Sequence, residues 1–352
     1  MQKPEYRAVI IGLSGIGARR PGKDGHLPVY GPMPGSHAGA YDRHPRTEVV
    51  GVCDLREEAL ADFKAQWEDV WPNARLYTDY REMLEKEKPD LVSVATSDHV
   101  HADMTVAAAE CGARAILCEK PIATSLEDAD RMIAAAEANG VLLSIEHTRR
   151  WNPSYLEARE IIRSGEIGPL RTVVCEQFSR RAMMFRNGTH LLDMICFFAE
   201  ANPLWLVSEL EAGFEHFTEY KGDGGKDPAV DPYASAYIRF DNGVRAFYNA
   251  YKVNFPGSKF ALTCEDGRIE ISDLGATLIR GRSHFESSSS PILSGKYAME
   301  NQTAAVGELI RILEEGGDLV SPAREARKTV EMMMGILKSH HGGNCRVDFP
   351  LS

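Results

Sequence analysis

Over roughly its first 145 residues the sequence alternates short β-branched runs with amphipathic stretches, an alternation met by a parallel sheet with helical crossovers. Runs at 7–11, 49–53, 75–77, 91–95, 115–118 and 141–145 predict strands, and the patterns at 56–67, 80–87, 102–111 and 126–139 predict the helices between them. Cys111-Gly112 and Asn139-Gly140 end two of those helices, because glycine accepts the left-handed backbone of a helix stop. After Trp151 the grammar changes. One helix at 154–163 leads into strand-rich sequence with reverse-turn signals. Asp241-Asn242-Gly243 separates runs at 235–240 and 244–251, and Glu265-Asp266-Gly267 separates runs at 260–264 and 268–271, which predicts hairpins and an antiparallel sheet. Helices at 303–314 and 323–339 close the chain, the second entered through Ser321-Pro322 as N-cap and first-turn proline. The stretches 220–232 and 282–291 read as polar loops, and Ser287 to Ser290 as a mobile segment.

These patterns predict an α/β chain in two domains. Residues 1–148 would form a Rossmann-type doubly wound parallel sheet, and 149–352 an α+β domain with an open, mainly antiparallel sheet, its C-terminal helix packing back toward the first domain. Composition agrees, with 43% hydrophobic and 26% charged residues in 352, as expected of a soluble globular protein. A formal charge of -11 disfavours nucleic acid and anionic membranes as partners. Apolar stretches such as 194–199 are far shorter than a membrane span, and no positively charged leader precedes the first strand. Seven cysteines (53, 111, 118, 175, 196, 264, 345) without a Cys-x-x-Cys read as reduced, buried thiols of a cytoplasmic protein.

The first strand runs directly into Gly12-Leu-Ser-Gly-Ile-Gly17, a strand entering a glycine-rich turn, where a dinucleotide pyrophosphate would lie. Gly12 would permit the tight turn and Gly17 the close helix packing. Ser14 occupies the middle glycine position, with Gly15 and Ile16 completing the cradle. The second strand ends at Asp54, from which a carboxylate accepts hydrogen bonds from the adenosine ribose, so NAD is favoured; Arg56 leaves NADP open. Gly17 and Asp54 stand 37 residues apart, where about 20 is usual. The excess maps onto residues 18–36, eight of nineteen being Pro or Gly, read as an excursion before the first helix. As a surface decoration it needs no role; as a flap it would act through His26 and Tyr30.

The fourth strand ends in Ala95-Thr-Ser-Asp-His-Val-His101 and the fifth in Cys118-Glu-Lys-Pro121, and ligands of open α/β sheets collect at such carboxyl ends. Lys120 is the first candidate for proton transfer, its exit direction fixed by the proline that follows. His99 and His101 form an H-x-H pair with no third ligand nearby, so no metal site is expected. In the second domain His190 and Asp193 stand three residues apart on one helix face, a spacing that suits a base with an acidic neighbour. Arg149, Arg150 and Arg186 are cations that could reach a substrate.

Taken in order, these segments resemble the Gfo/Idh/MocA family of nicotinamide-dependent oxidoreductases acting on sugars, inositols and related polyols. The resemblance rests on the glycine turn with Asp54, on Val94-Ala-Thr96 with His101, on Glu119-Lys-Pro121, on Arg150-Trp-Asn-Pro153, on Gly188-Thr-His-Leu-Leu-Asp193, and on Pro322-Ala-Arg-Glu-Ala-Arg327 through Arg346-Val-Asp-Phe-Pro350. It implies that Lys120 orients and polarises the substrate hydroxyl while His190 takes its proton as hydride passes to the nicotinamide. Thr96, Asp98, His101 and Glu119 would line the cofactor, with Asp193 near the substrate. It also implies a homodimer or homotetramer built through the second sheet. Ser97 stands where proline is usual after the threonine. Arg186 stands where many members carry an Asp completing a Lys-Asp-His set, which points either to another proton route or to an acidic group on the substrate. The family also holds glycosidases that retain NAD, and a non-catalytic NAD-binding regulator is the third reading; Lys120 and His190 argue against the last.

Overall fold

The computed structural model describes residues 5–20, 35–222, 225, 227–272, 275–283, 285–293 and 301–351. His26 and Tyr30 lie outside the described residues. The chain divides into two compact units, one of Met1–Trp151 with Met299–Ala326, the other of Asn152–Ala298 with Arg327–Ser352.

The first unit is built on β1 (Tyr6–Ile11), α1 (His37–Arg43), β2 (Thr47–Cys53), α2 (Glu57–Trp67), β3 (Arg75–Tyr77), α3 (Tyr80–Glu87), β4 (Leu91–Val94), α4 (His101–Glu110), β5 (Ala115–Cys118), α5 (Leu126–Ala138) and β6 (Leu142–Ile145). Its strands form one parallel sheet in the order β3-β2-β1-β4-β5-β6, the doubly wound order in which the crossovers reverse between β1 and β4. Near-continuous apolar strands are what a sheet covered on both faces requires, and β4 and β5 are buried throughout. Side-chain caps set the helix starts, Ser36 accepting from the Gly39 N–H, Asp79 from Arg81 and Ser125 from Asp128. The core gathers Tyr41, Leu60, Phe63, Trp67 and Trp71 with Val306, Leu309 and Ile310 of a late helix, each fully buried aliphatic side chain contributing roughly 1.5–3 kcal/mol.

The second unit contains α6 (Pro153–Arg163), β7 (Leu170–Phe178), α7 (Thr189–Ala199), β8 (Pro203–Leu210), β9 (Ala234–Phe240), β10 (Arg245–Tyr251), β11 (Gly257–Cys264), β12 (Gly267–Ser272), β13 (Gly275–Gly281) and β14 (Ser287–Pro291). Next in the chain, α8 (Asn301–Glu315) supplies the late helix of the first unit's core, and α9 (Ala323–His341) and β15 (Val347–Asp348) follow. The second sheet has the order β14-β13-β12-β11-β7-β10-β9-β8-β15, antiparallel except where β10 runs parallel to β7. Period-two burial in β9 and β10 gives this sheet one covered and one open face. Tyr155, Phe198 and Phe260 pack ring on ring beneath it, and α7 is apolar enough to be buried almost throughout.

Two expectations are corrected. The serine run expected as a mobile loop is the edge strand β14, paired with β13 from Thr277↔Pro291 to Gly281↔Ser287. Its side chains carry no hydrophobic signal because backbone pairing, with one side-chain bond from Arg280 to Ser290 Oγ at 3.3 Å, holds it to the sheet. The cysteines are all free, but Cys111 and Cys345 are exposed where burial was expected. Among the described residues no helix is long and apolar enough to cross a membrane.

Candidate active site

The carboxyl ends of β1, β2, β4 and β5 form one edge of the first sheet. Gly12 has φ +91 there and hands its N–H to the carbonyl of Cys53. A side chain at Gly12 would place its Cβ 2.5 Å from the carbonyl oxygen of Ala95, and one at Gly17 would come 2.0 Å from the carbonyl oxygen of Gly12. Both glycines are required by space. Ser14, Gly15 and Ile16 are exposed at the tip of the turn.

The excursion of residues 18–36 leaves and returns at one place, for His37 donates to the carbonyl of Ile16 at 2.8 Å and Ala38 to that of Gly17 at 3.0 Å. The helix α1 therefore starts directly against the turn, as in an uninterrupted dinucleotide-binding unit. Trp67 fixes the outgoing end by donating to the carbonyl of Ala18 at 2.7 Å.

Asp54 follows β2, and its carboxylate accepts from the N–H of Leu13 at 3.0 Å, from the N–H of Arg56 at 3.0 Å and from the Arg56 guanidinium at 3.2 Å. Burial would raise its pKa, yet the Arg56 guanidinium and the two backbone N–H groups hold the carboxyl below its ordinary value. An ionised acceptor thus stands beside the turn. Thr96 is half-buried and Ser97 exposed after β4, whereas Asp98 is 7% exposed. A turn that leaves backbone room at Gly12, a helix end behind it and a carboxylate at the end of β2 fit the pyrophosphate and adenosine ribose of a dinucleotide.

Glu119 and half-buried Lys120 follow β5, joined by the Lys120 N–H donating to Glu119 Oε2 at 3.2 Å; the Lys120-Pro121 bond is cis. His101 is fully buried, with Nδ1 3.0 Å from the carbonyl of Pro121 and Nε2 3.4 Å from that of Thr96. Burial disfavours a charged ring, but Cys118, Asp98 and the Pro121 carbonyl outweigh it and raise the pKa to about 10. His101 thus braces the two turns that carry Thr96 and Lys120. Arg150 is 2% exposed and donates to the carbonyl of Val320 at 2.8 Å, while Arg149 is half-buried. Among the described residues no group of three His, Cys, Asp or Glu side chains could hold a metal ion.

In the second unit a π-turn (Met184–Gly188) leads straight into α7 and brings Arg186 and His190, both half-buried, and fully buried Asp193 into one short segment. Such single-turn π segments recur at functional sites. Asp231 anchors this one, its carboxylate accepting from the N–H of Phe185 at 3.2 Å and of Arg186 at 3.0 Å. The same aspartate lines a cavity of about 350 Å³ with Met183, Phe217, Tyr220 and Lys221, and Tyr220 stacks on Phe185 at 4.2 Å. Tyr220, Lys221 and Asp231, from the stretch 220–232 expected as a polar, specificity-setting loop, so stand beside the π-turn.

Sequence reasoning missed His37, Ser93, Glu146 and Asp231. Each is a polar residue amid apolar or loop sequence; the partners of His37, Ser93 and Asp231 lie tens of residues away, and the Glu146 carboxyl has none among the described residues. The available signal was a polar side chain inside a buried element, as with Ser93 in the four-residue strand β4.

Residues 30–147 match the model of an oxidoreductase family with an NAD-binding Rossmann fold, and 155–270 match the Gfo/Idh/MocA C-terminal domain. Inositol 2-dehydrogenase of Salmonella typhimurium is 35% identical over 125 residues, 34% of this chain and 35% of that protein. The chain thus aligns with about a third of the length of such curated relatives. Among solved structures, levoglucosan dehydrogenase in complex with NADH and L-sorbose gives a TM-score of 0.78 at 17% identity, covering 98% of this chain and 99% of that one. The WlbA dehydrogenase of Bordetella pertussis, in complex with NADH and UDP-GlcNAcA, gives 0.73 at 17% identity over 100% of both. At such identities the structural likeness speaks for the fold alone. With both of its characteristic domains matched in order, the chain belongs to the Gfo/Idh/MocA oxidoreductase family.

Proposed function

We propose that the protein is an NAD-dependent dehydrogenase that oxidises a hydroxyl of a sugar, inositol or sugar acid to the carbonyl. The observation that carries this reading is the glycine turn at β1, joined through Leu13 to the ionised Asp54, on the same sheet edge as Lys120. Gly12, Ser14, Gly15, Ile16 and Gly17 would hold the pyrophosphate, Asp54 the ribose, and Thr96, Asp98 and Glu119 the remainder of the dinucleotide, His101 acting by bracing. When bound, the nicotinamide supplies the acceptor for the hydride that leaves the carbinol carbon. Lys120 would donate a hydrogen bond to the substrate oxygen and orient it, and His190 would accept the hydroxyl proton, leaving a carbonyl and one proton on the imidazole. Asp193, three residues along α7, would steady that imidazolium.

Arg186 gives the reading its substrate bias. A guanidinium on the π-turn before His190 suits a carboxylate or phosphate, and UDP-GlcNAcA in the WlbA dehydrogenase complex carries both. The open face of the second sheet, with Phe247 and Tyr251 exposed, supports a homodimer or homotetramer, and the free cysteines support a cytoplasmic setting.

The test is NADH formation by the purified protein with NAD and a panel of inositols, neutral sugars, sugar acids and aryl glycosides. Lys120→Ala and His190→Ala should each lower kcat/KM by about 10²–10⁴-fold. Arg186→Ala should weaken acidic substrates selectively. Equal losses for acidic and neutral substrates would remove the acidic bias, and glycoside cleavage without net NADH would replace the dehydrogenase by an NAD-retaining glycosidase.

A further inference from the structure

Behind the sheet edge lies a run of buried polar groups that packing alone does not call for. Tyr41 Oη stands 2.9 Å from Ser93 Oγ, Ser93 Oγ 2.8 Å from His37 Nδ1, and His37 Nε2 3.3 Å from Glu119 Oε1. Glu119 Oε2 in turn accepts the Lys120 N–H at 3.2 Å. His37 and Ser93 are fully buried, Tyr41 is 1% exposed and Glu119 8% exposed. We propose that His37 and Glu119 form a positioning pair for Lys120, carried on this hydrogen-bonded chain from α1 across β4 to the turn after β5. The proposal rests on the reading of Lys120 given above.

Proton inventory supports one order. An ionised carboxylate only accepts, so His37 Nε2 must donate to Glu119. With Nε2 donating, Nδ1 can accept from the Ser93 hydroxyl, and Ser93 from Tyr41. Every polar atom of the chain is then used, as a buried network requires. The chain begins on the helix whose first residue, His37, is bonded through its N–H to Ile16 of the glycine turn. It therefore ties the dinucleotide cradle to the lysine.

The charges around the pair set its direction. Burial would neutralise Glu119, but His37 and Lys120 hold its carboxyl below the ordinary value. Glu146, at the end of β6, is 1% exposed, and neither of its carboxyl oxygens has a hydrogen-bond partner among the described residues. Burial, then Glu119 and Glu308 of α8, push its pKa well up. Of the two carboxyls, the one whose surroundings favour the ionised form is thus Glu119, next to Lys120, and its charge favours the ammonium form of that lysine.

The experiment reads Lys120 directly, as the pH dependence of its acetylation by acetic anhydride, resolved peptide by peptide by mass spectrometry in the full chain. His37→Gln, Glu119→Gln and the double variant are compared, with thermal midpoints and far-UV circular dichroism to establish that each is folded. Each single variant should lower the Lys120 midpoint by about one pH unit. The double variant should shift it no further, because His37 acts through Glu119. Midpoints equal to the parent's, or shifts that add, would overturn the pair. Shifted midpoints combined with an active Lys120→Ala would keep the pair and overturn Lys120 as the catalytic group.

Discussion

The N–H of Leu13 donates to the carboxylate of Asp54 at 3.0 Å, across forty-one residues of chain. Together with the Gly12 N–H bonded to the carbonyl of Cys53, that bond locks the turn after β1 to the end of β2, so the two groups that would meet opposite ends of an adenosine diphosphate are set together. Asp54 also holds Arg56, which would otherwise offer its charge to a 2′-phosphate. In Asp54→Asn the amide oxygen still accepts from Leu13, the negative charge is gone and Arg56 is released. NADH should bind roughly 10–100-fold more weakly, the worth of hydrogen bonds to a charged group, and NADPH should gain relative to it. Fluorescence titration with both nucleotides checks this; an unchanged affinity ratio would remove Asp54 from ribose recognition.

The glycines of the turn should separate by cost. Gly15 has φ +52 and nothing within 4 Å of an added Cβ, so Gly15→Ala carries only the left-handed backbone penalty, on the order of 1–2 kcal/mol. Gly12→Ala adds collisions with Ala95 and Thr96, and should cost about 3 kcal/mol or more by urea unfolding. Equal midpoints for the two variants would mean that the turn yields where the structure has it packed.

How far the sequence could reveal this arrangement depended on the range of the interactions involved. Strand β5 falls at the residues its apolar run predicts, because a strand covered on both faces must be apolar along its length, and β3 falls where expected although only Tyr77 of its three residues is buried. Asp54, Lys120 and His190 could be picked out as candidates because each sits beside a local marker: a strand end, a following proline, a glycine two residues before. The excursion before α1 was legible from its prolines and glycines and from the long spacing between Gly17 and Asp54; the bonds that close it, from His37 to Ile16 and Ala38 to Gly17, were not. Nor was β14, whose serines pair chiefly through the backbone. Ser321 shows the same limit: expected as a helix cap, its hydroxyl donates to the carbonyl of Ile145, 176 residues earlier. The raised pKa of Glu146 depends on burial and then on Glu119 and Glu308, which come together only when β5, β6 and α8 have met.

Glu146 also predicts a pH dependence of stability. Its folded pKa is raised, chiefly by burial, so above the unfolded value of about 4.3 the unfolded chain gives up a proton that the folded chain keeps. Stability then falls as pH rises toward the folded pKa, with a slope of up to about 1.4 kcal/mol per pH unit from this group. Glu146→Gln keeps the shape and removes the titration. Urea midpoints of parent and variant should lie close at pH 4.5 and diverge by pH 8, with the variant the more stable. Parallel curves would show that Glu146 is ionised in the fold.

The last prediction concerns the entry to His190. Gly188 has an ordinary helical backbone, φ -62, so conformation does not demand glycine there. Space does, because an added Cβ would lie 2.3 Å from Tyr248 Oη and 3.3 Å from its ring carbon. That hydroxyl is buried and has no hydrogen-bond partner among the described residues, and burial pushes its pKa well up. Tyr248→Phe therefore removes a group that gains nothing from its surroundings, and should leave stability unchanged or slightly raised. Gly188→Ala should cost about 1–3 kcal/mol by overpacking and lower kcat by displacing His190 two residues on. In the double variant most of both losses should return, a coupling of about 1 kcal/mol or more. Additive effects would mean that the alanine is accommodated by the π-turn and that Tyr248 has no part in setting His190.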